Sequence, residues 1–192
     1  MAVTLGTGSG LTDSELLANI SNGDDISFEL LFHRHYSRVY GLIFRIVGSS
    51  AEAEDIAQEV FLLLYRRPPA RKGRDADHDH HVGAWLYRVA TNSAYNAIRS
   101  RKRLWQRNTH LVPEEHDPAS GPEKSLESVE EREKVRRALL TLKPWQAQLL
   151  LLRQMGLSYT ELAESCQIAA TSVGKQLSRA ADSFRKAFEA TE

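Results

Sequence analysis

The chain has 192 residues, with 25 basic and 25 acidic side chains and a formal net charge of zero. This length allows one ordinary domain or two small ones and excludes large barrels and doubly wound sheets. The composition, 42% hydrophobic and 26% charged, is typical of a soluble folded protein. The longest apolar run, residues 60–65, is too short to cross a bilayer, and the single Cys166 excludes an internal disulfide and a cysteine-based metal cluster.

The chain is predicted to begin with a tail and a long helix. Residues 1–23 are expected to form a disordered tail. The start of the chain lacks the basic residues, continuous apolar stretch and cleavage site of a signal peptide, which predicts a cytoplasmic protein. From Phe28 to Val47 apolar residues recur every three or four positions. This period predicts an amphipathic helix that ends at Gly48.

Two more helices are predicted in the first half. Ser49 and Glu52 form a capping-box pattern for a helix at about 51–66. Its expected core stripe consists of Ala53, Ile56, Val60 and Leu63. A loop rich in Pro, Gly, Arg, Asp and His follows at 68–81, and a third helix is expected from about 82 to 104.

The second half is predicted to be a linker followed by a helical module. Residues 108–124 hold three prolines and no apolar pattern, as expected of a flexible linker. Helical spacing resumes at Ser125, and three short helices follow at 144–154, 159–166 and 171–188. No segment shows strand alternation. The predicted fold is therefore all-α, with two small helical domains, 24–107 and 125–192, joined by a flexible acidic linker.

Charge alternates along the chain. Residues 63–107 carry 11 basic and 3 acidic side chains, and residues 134–192 carry 9 basic and 5 acidic ones. Residues 1–62 carry 3 basic and 9 acidic side chains, and residues 108–133 carry 2 and 8. The two basic segments suit a polyanion, although ordinary solvated faces would also account for the charge pattern alone.

The last helices have the spacing of a helix-turn-helix. Ser158 and Glu161 form a second capping-box pattern, the small Ala163 permits close packing of the next helix, and Val173 and Leu177 face inward. A plain three-helix module with a solvated face is the alternative. The outward positions would meet base edges and phosphates; they are Thr171, Ser172, Lys175, Gln176, Ser178 and Arg179.

The third helix combines aromatic, amide and guanidinium groups on one outer stripe. Aromatic rings stack on unpaired bases, amides pair with base edges and guanidinium groups neutralise phosphates, so this face suits single-stranded or melted DNA. Alternatively, Trp85 and Tyr87 are core residues beside a solvated stripe. The candidates are Trp85, Arg88, Asn92, Tyr95, Asn96 and Arg99, continued by Arg101, Lys102, Arg103 and Arg107.

The second helix carries an acidic and amide stripe beside its core face. Asp55, Gln58 and Glu59, flanked by Leu62, are typical of a docking surface for a basic protein helix. A solvated face is the alternative, and the pattern alone does not separate the two.

Three motifs occur in order along the chain. They are FELLFHRHYSRVYGLIFRIVGSSAEAEDIAQEVFLLLYRR at 28–67, WLYRVATNSAYNAIRSRKR at 85–103 and LSYTELAESCQIAATSVGKQLSRA at 157–180. Over residues 24–188 the chain resembles bacterial RNA polymerase sigma factors of the small, two-domain extracytoplasmic-function (ECF) group. The resemblance implies a transcription initiation factor and not an enzyme, with no cofactor and no metal. The implied partners are core RNA polymerase, through its clamp helices and flap region, and promoter DNA; many relatives also bind an anti-sigma factor.

The resemblance also implies roles for individual residues. Asp55, Gln58, Glu59 and Phe61 match the family's DxxQExF pattern, whose helix docks on the clamp helices of the largest polymerase subunit. Asn92 matches the position that reads a flipped base of the minus-10 element, and the loop at 69–81 corresponds to the loop that cradles this base. The helix from Thr171 matches the one that enters the major groove at the minus-35 element.

Two residues depart from the family pattern. Gly174 lies inside the implied recognition helix, where glycine costs about 1 kcal/mol relative to alanine and offers no base contact. Asn96 stands where aspartate is frequent in the family.

Two other functions are compatible with parts of the sequence. The run DADHDHH at 75–81 contains side chains that bind zinc, but it lies in a loop without a second ligand cluster. An operator-binding regulator with a ligand-sensing first domain would bind specific duplex DNA without polymerase. It would leave the stripe from Trp85 to Arg99 unexplained.

Overall fold

A computed structural model describes residues 10–69, 80–107 and 126–190 of the protein, and these residues form helices and short connections. The first half contains α1 (Asp13–Ser21), α2 (Asp25–Val47), α3 (Ser50–Arg66) and α4 (His80–Arg107). The second half contains α5 (Leu126–Thr141), α6 (Pro144–Gln154), α7 (Tyr159–Cys166) and α8 (Val173–Glu189), with a 3₁₀ turn at Ala170–Ser172. The predicted all-α, two-domain fold is confirmed. Within the described ranges no helix has the length and apolar character of a membrane span.

Helix α1 overturns part of the prediction that residues 1–23 form a disordered tail. Thr12 and Glu15 form a reciprocal capping box, in which the Thr12 backbone N–H donates to Oε2 of Glu15 over 2.8 Å. Leu16, Leu17 and Ile20 are buried on the side that packs against α2 and α4. The Thr12–Glu15 pattern, followed by apolar residues at 16, 17 and 20, is a sequence signal for this helix, and the prediction of a tail overlooked it. Residues 1–9 lie outside the described part of the chain.

An ion cluster fastens α1 to α2. The buried carboxylate of Asp13 lies 2.5 Å from Nη1 of Arg34 and 2.5 Å from Nε2 of His35. Burial by itself would raise the pKa of Asp13, but the hydrogen bonds and charges of His35 and Arg34 hold it below its ordinary value. The His35 ring in turn packs on Gly83, where an added Cβ would lie 3.4 Å from Cε1. The cluster therefore supports the beginning of α4 as well.

The turn between α2 and α3 agrees with its sequence signals. Gly48 ends α2 at φ 80°, in the left-handed region that glycine favours, and the Ser49 hydroxyl accepts a hydrogen bond from the Glu52 backbone N–H. The predicted core stripe of α3 is wrong at Leu63, which is 39% exposed. Helices α2 and α4 both pack on α3, and they bury a face centred between Ala57 and Val60 that leaves Leu63 at its edge.

The two domains pack against each other along α4. Helix α4 contacts α2 and α3 of its own domain and α6 and α7 of the other. The Tyr95 hydroxyl donates to the Leu139 carbonyl of α5 over 3.2 Å, and buried residues of both domains form one continuous core. The expected linker, 108–124, lies outside the described residues. The domains that it joins are in direct contact.

The predicted helix-turn-helix is present in the second domain. The Ser158 backbone N–H donates to Oε2 of Glu161 over 2.7 Å and the Glu161 N–H donates to the Ser158 hydroxyl, which completes the capping box. Gln167 takes the left-handed conformation in the turn. Val173 is fully buried at the start of α8, as its inward position predicted.

Candidate polymerase and DNA interfaces

The acidic and amide face of α3 is exposed. Counted from Asp55, the other members of this face lie three, four and seven residues further on, and all four are exposed: Asp55, Gln58, Glu59 and Leu62, the last 45% exposed. An exposed leucine framed by carboxylates and an amide offers both apolar contact and charge to a basic partner helix.

Phe61 does not belong to this exposed face. Its side chain is only 2% exposed, and its ring centroid lies 4.8 Å from that of Phe32 and 6.2 Å from that of Tyr36. The expectation that Phe61 contacts the polymerase directly is therefore wrong for this structure. Its ring packs α3 against α2 beside the exposed face of α3.

Two exposed side chains that are absent from the predicted sites lie near the C-terminal end of α3. Tyr65 donates its hydroxyl to Oδ1 of Asp25 over 2.8 Å, and Ile26 is among the most exposed large apolar side chains of the described residues. Apolar residues at outward positions of an amphipathic helix are the signal that marks them.

The outer stripe of α4 is largely exposed. Asn92, Asn96, Arg99 and Arg103 lie in solvent, whereas Trp85 and Arg88 are half-buried. Trp85 packs on the core with one part of its ring and keeps the rest outside, while Tyr87 is buried. The core alternative thus holds for Tyr87 and not for the stripe as a whole.

Tyr95 is not on the outer stripe. It is buried and its hydroxyl is bonded to Leu139, and burial raises its pKa well above the ordinary tyrosine value. The expectation that Tyr95 contacts minus-10 DNA is wrong for this arrangement of the domains. The cause is tertiary: the second domain covers the side of α4 on which Tyr95 lies.

The basic end of α4 forms an open depression. It has a volume of about 390 Å³ and a lining of amide and cationic groups, which suits a phosphate backbone. Arg101 lies on another side of the helix, where Nη1 is 2.7 Å from Oε2 of Glu52, so this cation is already paired with α3. The lining residues are Asn96, Arg99, Lys102, Arg103 and Gln106.

The outward side of the helix-turn-helix is also accessible. Thr171, Lys175, Ser178 and Arg179 are exposed, and Ser172 and Gln176 are half-buried. These positions surround the first two turns of α8, the part that enters a major groove in helix-turn-helix proteins.

Tyr159 and Arg153 extend this surface, and neither is among the residues predicted to contact minus-35 DNA. Tyr159 is 49% exposed, with its Cε2 3.7 Å from the position of an added Cβ at Gly174. The Arg153 guanidinium lies 5.5 Å from the Tyr159 ring centroid and donates to the Leu157 carbonyl. The space beside Gly174 is therefore bordered by an aromatic ring.

Neither the cysteine nor the described acidic and histidine side chains support a catalytic or metal site. Burial raises the pKa of the Cys166 thiol to about 12, so little reactive thiolate forms near neutral pH. Among the described side chains no group of three or more His, Cys, Asp or Glu could hold a metal ion. Most of the histidine-rich run, residues 75–79, lies outside the described residues.

The chain is similar to known proteins in both domains. Residues 31–104 match the family model for sigma-70 region 2, and residues 132–182 match the model for sigma-70 region 4. The RNA polymerase sigma-H factor of Pseudomonas aeruginosa is 28% identical over 92% of this chain and 94% of its own. The ECF RNA polymerase sigma-E factor of Escherichia coli K12 is 29% identical over 91% and 93%.

Solved structures share the fold. CnrH in complex with the cytosolic domain of CnrY has a TM-score of 0.60 at 18% identity, covering 94% of this chain and 99% of its own. The sigma factor RpoE of Bartonella quintana, in complex with the anti-sigma factor NepR, has a TM-score of 0.56 at 19% identity, covering 84% and 96%.

Proposed function

Since the chain belongs to the ECF group of RNA polymerase sigma factors, we propose that it binds core RNA polymerase, recognises minus-35 and minus-10 promoter elements, assists melting and directs transcription initiation. The observation that carries this function is the separation of two chemistries on the surface. An acidic, leucine-bearing face lies on α3, and cationic and amide faces lie on α4 and α8. One protein partner and one nucleic-acid partner account for this division.

The minus-10 assignment divides the outer stripe of α4 by chemistry. The exposed Asn92 amide offers a donor and an acceptor, the combination that pairs with a base edge. Arg99 and Arg103 line the basic depression and neutralise phosphates without reading sequence. Trp85, half outside the core, provides a ring on which an unstacked base can rest.

The minus-35 assignment rests on α8. Lys175 and Arg179 suit guanine O6 and N7, and Gln176 suits adenine N6 and N7. Thr171, Ser172 and Ser178 supply hydroxyls to phosphates or base edges.

The same proposal covers compartment and partners. Core polymerase and promoter DNA are in the cytoplasm, where we place the protein, and its activity requires no catalytic group of its own. Because two proteins of this fold were solved with CnrY and NepR, we include an anti-sigma factor among the proposed partners.

Run-off transcription with core polymerase on genomic fragments tests the function. Wild-type protein should direct defined transcripts, and Asp55→Lys should lose them through weaker core binding, because the reversal opposes a basic partner. Glu29→Lys is the matched control, since Glu29 is exposed on α2 outside the docking face, and it should behave as wild type. Specific duplex binding without polymerase, together with no transcripts, would instead identify an operator-binding regulator.

A further inference from the structure

The turn between α2 and α3 holds a side chain from the other domain. The guanidinium group of Arg136, from α5, occupies the position that a Cβ would take at residue 48. Only glycine leaves this space open, and Gly48 also adopts the left-handed conformation that ends α2. The contact therefore depends on the absence of a side chain at one position of the first domain.

Opposing electrostatic effects act on the Arg136 cation at this point. The C-terminal end of a helix carries a partial negative charge from its unpaired carbonyl groups, and Arg136 lies against the C-terminal end of α2. Glu133 pairs with Arg136 directly, and Glu52 adds negative charge from the start of α3. Burial, together with the charge of Arg101, holds the pKa of Arg136 below its ordinary value, although Glu133 and Glu52 act in the other direction. With 11% of its side chain exposed, Arg136 is well shielded from solvent.

The contact occurs in an arrangement that is too compact to read a whole promoter. The minus-35 and minus-10 elements lie about 25 base pairs apart, which is about 85 Å along DNA at about 3.4 Å per base pair. A compact chain of this length has a radius of gyration of about 16 Å and hence a diameter of about 42 Å. The faces on α4 and α8 cannot reach both elements while their domains pack directly on each other.

We propose that Arg136, seated at Gly48, is a latch that holds the second domain against the first in the free protein and must withdraw before the promoter is read. Only the second part, withdrawal before the promoter is read, rests on the proposed function. The latch itself is a property of the free chain.

The position of the latch connects it to the polymerase-binding helix. Glu52 pairs with Arg101 over 2.7 Å and also acts on Arg136, so two cations share one carboxylate. Glu52 precedes Asp55 by three residues on α3, within one turn of the docking face. When Arg136 leaves, Glu52 keeps Arg101 as its partner. Separation of the domains therefore leaves the Glu52 carboxylate paired.

Single-molecule energy transfer on the free chain measures the latch. Dyes at Ser37→Cys and Asp182→Cys, both exposed positions, report the separation of the domains. Because Cys166 is half-buried, Cys166→Ser in every variant confines labelling to the two introduced cysteines. Arg136→Ala should raise the population with low transfer efficiency about three- to tenfold, and Arg137→Ala is the matched control because the neighbouring Arg137 is exposed.

A second variant tests the other side of the contact. Gly48→Asn tolerates the left-handed conformation but places a Cβ where the guanidinium lies, so it should open the chain without changing its charge. The latch is refuted if either Arg136→Ala or Gly48→Asn, folded by circular dichroism, keeps the wild-type transfer distribution. It is equally refuted if Arg137→Ala opens the chain as much as Arg136→Ala. None of these outcomes depends on polymerase or DNA, so failure of the latch is distinguishable from failure of the sigma-factor function.

Discussion

Two adjacent residues of α3 should separate stability from polymerase binding. Phe61 is 2% exposed, whereas Leu62 is 45% exposed. Truncating a buried phenylalanine removes its transfer free energy and leaves a cavity, which costs about 3–5 kcal/mol. For a chain of this size, about 2–4 °C of Tm is lost per kcal/mol. We therefore expect Phe61→Ala to lower Tm by about 8–16 °C for a cost of about 4 kcal/mol.

Leu62→Ala should behave in the opposite way. Surface substitutions change stability by about 0.5 kcal/mol or less, so Tm should move by no more than about 2 °C. If Leu62 is an apolar anchor of the docking face, its loss should weaken core binding by about 1.4 kcal/mol, a tenfold increase in Kd.

Thermal denaturation and a competition assay for core polymerase, both below the Tm of each variant, measure the two effects. Each residue serves as the control for its neighbour, because the two share one helix and one motif. The reasoning is refuted if Leu62→Ala destabilises the protein as much as Phe61→Ala, or if Phe61→Ala weakens binding with an unchanged Tm.

Three other predictions follow from named contacts. Asn92→Ala should lose discrimination at one promoter position at a cost of about 1–3 kcal/mol, whereas Arg99→Ala should weaken all sequences alike and reduce the salt dependence; equal losses across base variants for Asn92→Ala would contradict its base contact. Gly174→Ala should raise the free energy of unfolding by about 1 kcal/mol, since its Cβ has ordinary contact distance to Tyr159, and lost promoter activity in that variant would reveal close backbone approach to DNA. The lowered pKa of Asp13 stabilises the folded chain above the ordinary carboxyl pKa of about 4, and the gain is lost as pH falls through the lowered value. Asp13→Asn should thus cost about 3–5 kcal/mol at pH 7, and chemical denaturation should show this difference from wild type shrinking below about pH 4.

The sequence predicted the exposed residues of the candidate face on α8 better than those of the face on α3. On α8 the inward Val173 and the capping box at Ser158 set the rotation of the helices, so the outward positions followed from local geometry. On α3 the periodicity placed Asp55 and Leu62 outside correctly. The family pattern added Phe61 to this set, and only the aromatic neighbours on α2 show that its ring is enclosed.

Helix type, most helix ends and most amphipathic faces were determined by the sequence alone, because hydrogen bonds, caps and hydrophobic period act within a few residues. The left-handed Gly48 that ends α2 is an example. Only the tertiary structure decided which surfaces are covered, since burial depends on residues far apart in the chain. Tyr95 is hidden because Leu139 of the second domain lies over it, α1 is ordered because α2 and α4 bury its leucines, and Arg136 is held because a glycine in the first domain leaves room for it.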